Sequence, residues 1–155
     1  MAETTPRLAL PMIVPGQAQK EMMHNEALVR IDAAIQPSAP ALGTTVPPAS
    51  PIEGQCWIVG DAPTGAWAGH ADSLAMWTAG GWRFVVPTEG FRVWLSGRGV
   101  DARYVGGAWV AGRLHATPAA AIAAPVGGTT VDGAARSAIG AILAALRLHD
   151  LIETE

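Results

Sequence analysis

Cysteine is almost missing from this chain: Cys56 is the single one among 155 residues. An intrachain disulfide is therefore excluded. Its setting, Q-C-W-I-V-G, is apolar and strand-like, which suits a buried, inert thiol better than a nucleophile. Charge is scarce too. Charged residues make up 15% of the chain, and the formal net charge is −3. The sequence carries no basic stripe, so nucleic-acid binding is not expected. No apolar run approaches the roughly 18 residues of a membrane-spanning helix, and membrane insertion is not expected either. The opening M-A-E-T-T-P-R-L-A-L-P is acidic and broken by prolines. It is unlike a signal peptide, so the expectation is a soluble chain in a reducing compartment.

Recognisable catalytic constellations are also lacking. The histidines (His24, His70, His115, His149) are scattered, with no i,i+4 pair and no carboxylate at metal-ligand spacing. There is no nucleophile elbow, no phosphate-binding P-loop and no G-x-G-x-x-G opening a helix. Ser96-Gly97-Arg98-Gly99 reads as a hairpin turn rather than a phosphate nest. Glu53 and Asp61 flank an expected strand, as the paired carboxylates of a glycosidase would; surface acids near turns are also common by chance. The expectation is a non-enzyme with no metal and no cofactor.

What the chain does have is tryptophan and turn residues. It holds 6 Trp against 1 Tyr and 2 Phe, with 18 Gly and 12 Pro. Residues 77–82 read W-T-A-G-G-W and residues 104–109 read Y-V-G-G-A-W. Each sets an aromatic residue, a glycine-rich turn and a tryptophan five positions on, which is a tight-hairpin signature. A weaker copy, T-G-A-W, spans Thr64 to Trp67. Half of the residues are apolar, so a real core can form. With so few charges to cover it, some apolar surface is expected to be buried against other subunits.

Residues 5–15 hold Pro6, Pro11 and Pro15. Proline bars a helix there and favours an extended arm. Its apolar side chains, Leu8, Leu10, Met12 and Ile13 among them, need a surface to dock on, either the chain's own domain or a neighbour. A first helix is predicted over 17–36, with Leu28, Ile31 and Ile35 on one apolar stripe and His24 one turn before. A proline-rich connector follows, with an edge strand near Leu42–Val46. Strands are predicted at 55–59, 74–78, 82–86, 91–95, 102–105 and 108–111. Within them Trp94 falls on the side opposite Val93 and Leu95, where an exposed ring is expected. Residues 115–128 read as an Ala/Pro-rich linker. A helix follows over about 133–149, capped by Thr130 or Asp132. Its stripe of Ile139, Ile142, Leu143 and Leu146 needs a partner, either the β domain or further copies of itself.

Indoles on a rigid sheet can stack on sugar rings. Trp67, Trp82, Trp94 and Trp109 are the candidate glycan-binding rings, with core or interface packing as the alternative role for each. The fold class expected is α+β: an N-terminal arm and helix (1–36), a small antiparallel β domain (37–114), then a linker and oligomerising helix (115–155).

The run T-P-R-L-A-L-P-M-I-V-P-G-Q-A-Q-K-E-M-M-H-N-E-A-L (Thr5 to Leu28) resembles the opening of an uncharacterised domain family from phages, prophages and gene transfer agents of alphaproteobacteria. The stretches P-P-A-S-P-I-E-G-Q-C-W-I-V-G, T-G-A-W-A-G and M-W-T-A-G-G-W-R-F-V-V-P-T-E-G-F-R-V-W resemble its β portion. The likeness covers about residues 5–112. It implies a structural virion component, a head spike or fibre protein of a phage-like particle or gene transfer agent. Such a protein attaches to a host's surface polysaccharide or joins the spike to the capsid. The implied partners are copies of itself (a trimer or pentamer), capsid or other spike and fibre proteins, and cell-surface polysaccharide. Gln17, Gln19, Lys20, Glu21, His24, Asn25 and Glu26 match the family's signature, which implies a hydrogen-bonded docking or folding role. The alternatives are an assembly adaptor with no sugar affinity and a glycan hydrolase using Glu53 and Asp61.

Overall fold

The two aromatic–glycine–tryptophan signatures become the turns of two β-hairpins. In the computed structural model, which describes residues 4–13, 20–114, 117–128 and 132–154, strands β3 (Leu74–Thr78) and β4 (Gly81–Val85) pair antiparallel and set Trp77 opposite Trp82. Strands β6 (Val100–Val105) and β7 (Ala108–Ala111) do the same and set Tyr104 opposite Trp109. The five-residue aromatic spacing is thus a cross-strand pair, the unit that stabilises a sheet face. Gly106 and Gly107 both carry positive φ, 60° and 81°, as a two-residue type I′ turn requires. The third copy behaves otherwise. Gly65–Trp67 is a single 3-10 turn, not a hairpin; this copy lacks the leading aromatic residue that pairs across strands in the other two.

Two sheets result. The smaller is β2–β3–β4, with β2 at Cys56–Ile58. The larger runs β1–β5–β6–β7, with β1 at Ser38–Ala39 and β5 at Arg92–Leu95. Neighbours pair antiparallel except β1, which lies parallel to β5. The stretch expected as a strand at Leu42–Val46 pairs with the rest of the fold through a single bridge, between Thr44 and Val59. The approach there is close. A Cβ on Gly60 would stand 2.5 Å from the Gly43 carbonyl oxygen, so only glycine fits.

Inward residues of both sheets (Cys56, Ile58, Leu74, Met76, Val93, Leu95) form one core, which Ala33 and Val29 of helix α1 join. Helix α1 spans Lys20–Ala34. Its predicted stripe is not the face it buries: Ile31 and Ile35 are 44% and 46% exposed, while Asp32 and Ala33 are fully buried. The reason is electrostatic. A buried carboxylate needs donors, and the N-terminal segment supplies them. Thr5 Oγ1 donates to Asp32 Oδ1 at 3.0 Å, and the backbone N–H groups of Arg7 and Leu8 donate at 3.0 and 2.5 Å. The Arg7 guanidinium donates to the carbonyls of Asp32, Ile35 (3.1 Å) and Gln36 (2.6 Å), occupying acceptors that the helix end leaves open. The helix gives way before Pro37, with Gln36 at φ 46°.

The segment 4–13 is free of helix, as its prolines dictate, but it doubles back through a bridge between Thr4 and Pro11. It docks on its own unit. Asn25 clasps Ile13 through both main-chain groups, at 3.0 and 3.1 Å. Leu8, Leu10 and Met12 are half-buried and Ile13 is exposed.

Residues 1–111 and 112–155 divide into two compact units. In the second, helix α2 spans Gly133–Leu148 and is capped by Asp132, whose side chain accepts from the Ala135 N–H at 3.0 Å. Leu143 is buried and Leu146 half-buried, while Ile139 and Ile142 are exposed. Ala119 exchanges backbone hydrogen bonds with Leu151 and Glu153, tying the linker to the chain end. No helix among the described residues is long and apolar enough to cross a membrane.

Candidate functional site

The four candidate indoles separate into three environments. Trp67 is fully buried. It folds over the outer face of the β2–β3–β4 sheet and meets Trp57 and Trp82 with ring centroids 6.1 and 5.1 Å apart. Trp82 is half-buried and also edges onto Trp57 and Trp77, at 5.4 and 5.0 Å. Edge-to-face contacts of this kind are favourable for aromatic packing. His70 stacks on Phe84 beside them, centroids 3.6 Å apart. These rings form a second core, and Trp67 has no surface left to offer a ligand. Trp109 is structural in another way. It packs against the main core, and its Nε1–H donates to the Asp72 carbonyl at 2.8 Å, joining the β6–β7 hairpin to the loop before β3.

Trp94 stands apart. It lies on the outer face of the β1–β5–β6–β7 sheet and is 46% exposed. The alternation along β5 requires this, since Val93 and Leu95 on either side point inward and are buried. Register then assigns its neighbours. Asp101 lies directly opposite Trp94, Arg103 directly opposite Arg92, and Ser38 beside Trp94 on β1. One sheet face therefore carries an indole, two guanidinium groups and a carboxylate. Sequence inspection found Trp94 but missed Arg92, Asp101 and Arg103, because only strand register brings them to its side.

The rim of this face is shaped by a β-bulge. Gly90 N–H donates to the Tyr104 carbonyl at 2.8 Å, while Tyr104 N–H donates to the Phe91 carbonyl at 2.9 Å. Gly90 and Phe91 thus oppose one residue, with Gly90 at φ 84°, the glycine-type bulge. The Arg103 guanidinium lies against the space where a Gly90 side chain would begin, 3.7 Å from that Cβ position.

A cleft of about 630 Å³ lies elsewhere in the same unit, lined by Met12, Met22, Met23 and Val29 with Glu53 at its wall. The Glu26–Arg83 ion pair (2.9 Å) also lines it, and Glu26 further meets Arg30 at 3.1 Å. Burial by itself pushes the Glu26 carboxyl up; hydrogen bonds and charge from Arg83 and Arg30 outweigh burial and hold it below the ordinary carboxylate value. Of the signature residues, Asn25 and Glu26 thus secure α1 to the rest of its unit. Gln17 and Gln19 lie outside the described residues. Among the described residues no cluster of three His, Cys, Asp or Glu side chains could hold a metal ion.

A family model described as "protein of unknown function (DUF2793)" matches residues 24–110, more than half of the chain. The chain belongs to the DUF2793 family. No curated protein matches it. The DUF2793 match opens within α1 at His24 and runs to Val110 in β7. It takes in both sheets, the indole core and the whole Trp94 face. The N-terminal clasp and α2 fall outside it.

Proposed function

We propose that this DUF2793 chain is a non-catalytic structural component of a phage-like particle or gene transfer agent, a head-spike or fibre protein that attaches to host surface polysaccharide. The observation that carries the reading is the open Trp94 ring on a hydrogen-bonded sheet face, with polar side chains beside it. An indole loses little freedom on contact and covers the C–H face of a sugar. Asp101 can accept from sugar hydroxyls. The virion setting rests on the resemblance of the Thr5–Leu28 run and the tryptophan turns to phage and gene-transfer-agent proteins. The test is retention of the full chain on immobilised capsule polysaccharide from candidate host cells. Wild type is expected to be retained and Trp94→Ala to be washed through; equal retention of the two would reject the Trp94 face as the attachment site.

A second reading, an assembly adaptor with no sugar affinity, draws on α2. Exposed Ile139 and Ile142 next to half-buried Leu146 leave part of an apolar stripe uncovered. Self-association through α2 would cover it, in a trimer or pentamer. Light scattering of the full chain, with and without Ile139→Asp and Ile142→Asp together, tests this. The double substitution is expected to lower the mass of the assembly; an unchanged mass rejects the helix as the oligomerising element. An oligomer that binds no polysaccharide supports the adaptor.

A further inference from the structure

The charges around Trp94 are out of balance in a way the fold does not need. Arg92 and Arg103 face each other directly across β5 and β6, and like charges in that position weaken a sheet. By contrast, Arg30 and Arg83 pair with Glu26, Arg113 pairs with Asp150, and Arg7, Arg136 and Arg147 donate to carbonyl oxygens. Among the described residues, no carboxylate lies within ion-pair distance of Arg92 or Arg103. Arg103 Nε is moreover buried without a hydrogen-bond partner, which costs free energy unless something answers it. The bulge at Gly90 keeps the space beside that guanidinium clear of a side chain. The donors, their geometry and the open indole converge on one face.

We infer that the Trp94 face binds a polysaccharide bearing carboxylate groups, with Arg92 and Arg103 holding a carboxylate while the indole stacks on an adjoining sugar ring. This rests on the attachment reading above and narrows its ligand. Two forked guanidinium groups match the flat, two-oxygen geometry of a carboxylate. Asp101, opposite the indole, suits a chain on which charged groups alternate with hydroxyls: its carboxylate accepts from hydroxyls but repels a dense run of anions. Single-stranded nucleic acid is the other polymer that offers both flat rings and negative charge, and it is the competitor against which the uronate polymers are compared.

The experiment measures binding of the full chain to polygalacturonate, alginate and hyaluronate, to the same polymers after chemical reduction of their carboxyl groups, to neutral dextran, and to oligo(dT). Binding to at least one uronate polymer is expected, and carboxyl reduction should weaken it at least about tenfold, the scale of losing a charge-assisted bidentate contact. Arg92→Gln and Arg103→Gln should each weaken the uronate complex several-fold. Arg103→Lys should recover part of the loss, and Trp94→Ala should lower binding to charged and reduced polymers alike. Raising salt from low to physiological strength should weaken the uronate complex in wild type and less in Arg92→Gln. Because Arg92 is exposed, its substitution leaves the fold intact even if that at Arg103 does not, and circular dichroism checks both. Trp94-dependent binding that ignores carboxyl reduction and both arginine changes would overturn the inference while leaving attachment standing. Tighter binding to oligo(dT) than to any uronate would overturn it in favour of nucleic acid. Failure to bind any polysaccharide, charged or neutral, would remove the attachment reading with it.

Discussion

Asp32 shows what a single side chain does in this chain. It sits on α1 at a position that helical periodicity leaves unmarked, yet it is fully buried and accepts three hydrogen bonds from Thr5, Arg7 and Leu8. Removing the carboxylate would strand those donors. Asp32→Ala is expected to destabilise the protein by about 1–3 kcal/mol and to speed tryptic cleavage after Arg7; an unchanged urea midpoint and cleavage rate would refute the clasp. Cys56 is the opposite kind of residue, legible from its apolar surroundings. Burial pushes its thiol up to about 11, from an ordinary value of 9.0. The unfolded chain therefore ionises first as pH rises. The stability tied to this thiol is complete below pH 9 and declines until pH reaches about 11. Urea midpoints for wild type and Cys56→Ala should draw together over that interval, and a gap independent of pH would show that the thiol titrates as if exposed. Its burial also predicts no labelling by a thiol reagent in the native protein at neutral pH.

At the scale of elements, local chemistry was informative wherever a segment answers to its own residues. The six predicted strands appear within a residue or two, because alternation and glycine turns are local signals. The expected α+β class, with one helix before the small β domain and one after a linker, is the class observed. Strand β1 was invisible: two residues, Ser38 and Ala39, carry no pattern, and their strand character comes from parallel pairing with β5. Alternation along β5 marked Trp94 as the outward ring, but the role of Trp67 was hidden, because it is a loop crossing that folds this indole under the others. Trp67→Ala should cost about 3–5 kcal/mol, whereas Trp94→Ala should stay within about 0.5 kcal/mol of wild type. Chemical denaturation of the two variants measures the difference, and equal losses would show that Trp94 is structural.

For the whole molecule, the division between residues 1–111 and 112–155 matters most. Residues 117–128 are exposed throughout, and their alanine-rich composition suits elastase. Brief digestion is expected to cut there and leave a resistant N-terminal fragment ending within residues 117–128, identified by mass spectrometry; first cleavage inside the two sheets would contradict this division. The DUF2793 match ends at residue 110, so the Trp94 face and the apolar face of α2 lie in segments of different kinds. Attachment belongs to the first in our reading, and assembly to the second.

By itself the sequence determined the hairpins, their cross-strand aromatic pairs, the C-terminal helix and the outward parity of Trp94, since each depends on residues close in the chain and on fixed backbone periods. Tertiary structure alone decided which face of α1 is buried, because a carboxylate can go inside only where a distant segment brings donors to it. It alone decided which indoles are covered, because coverage depends on a loop crossing a sheet. And it alone set Arg92, Arg103 and Asp101 around Trp94, because strand register joins residues that spacing along the chain keeps apart.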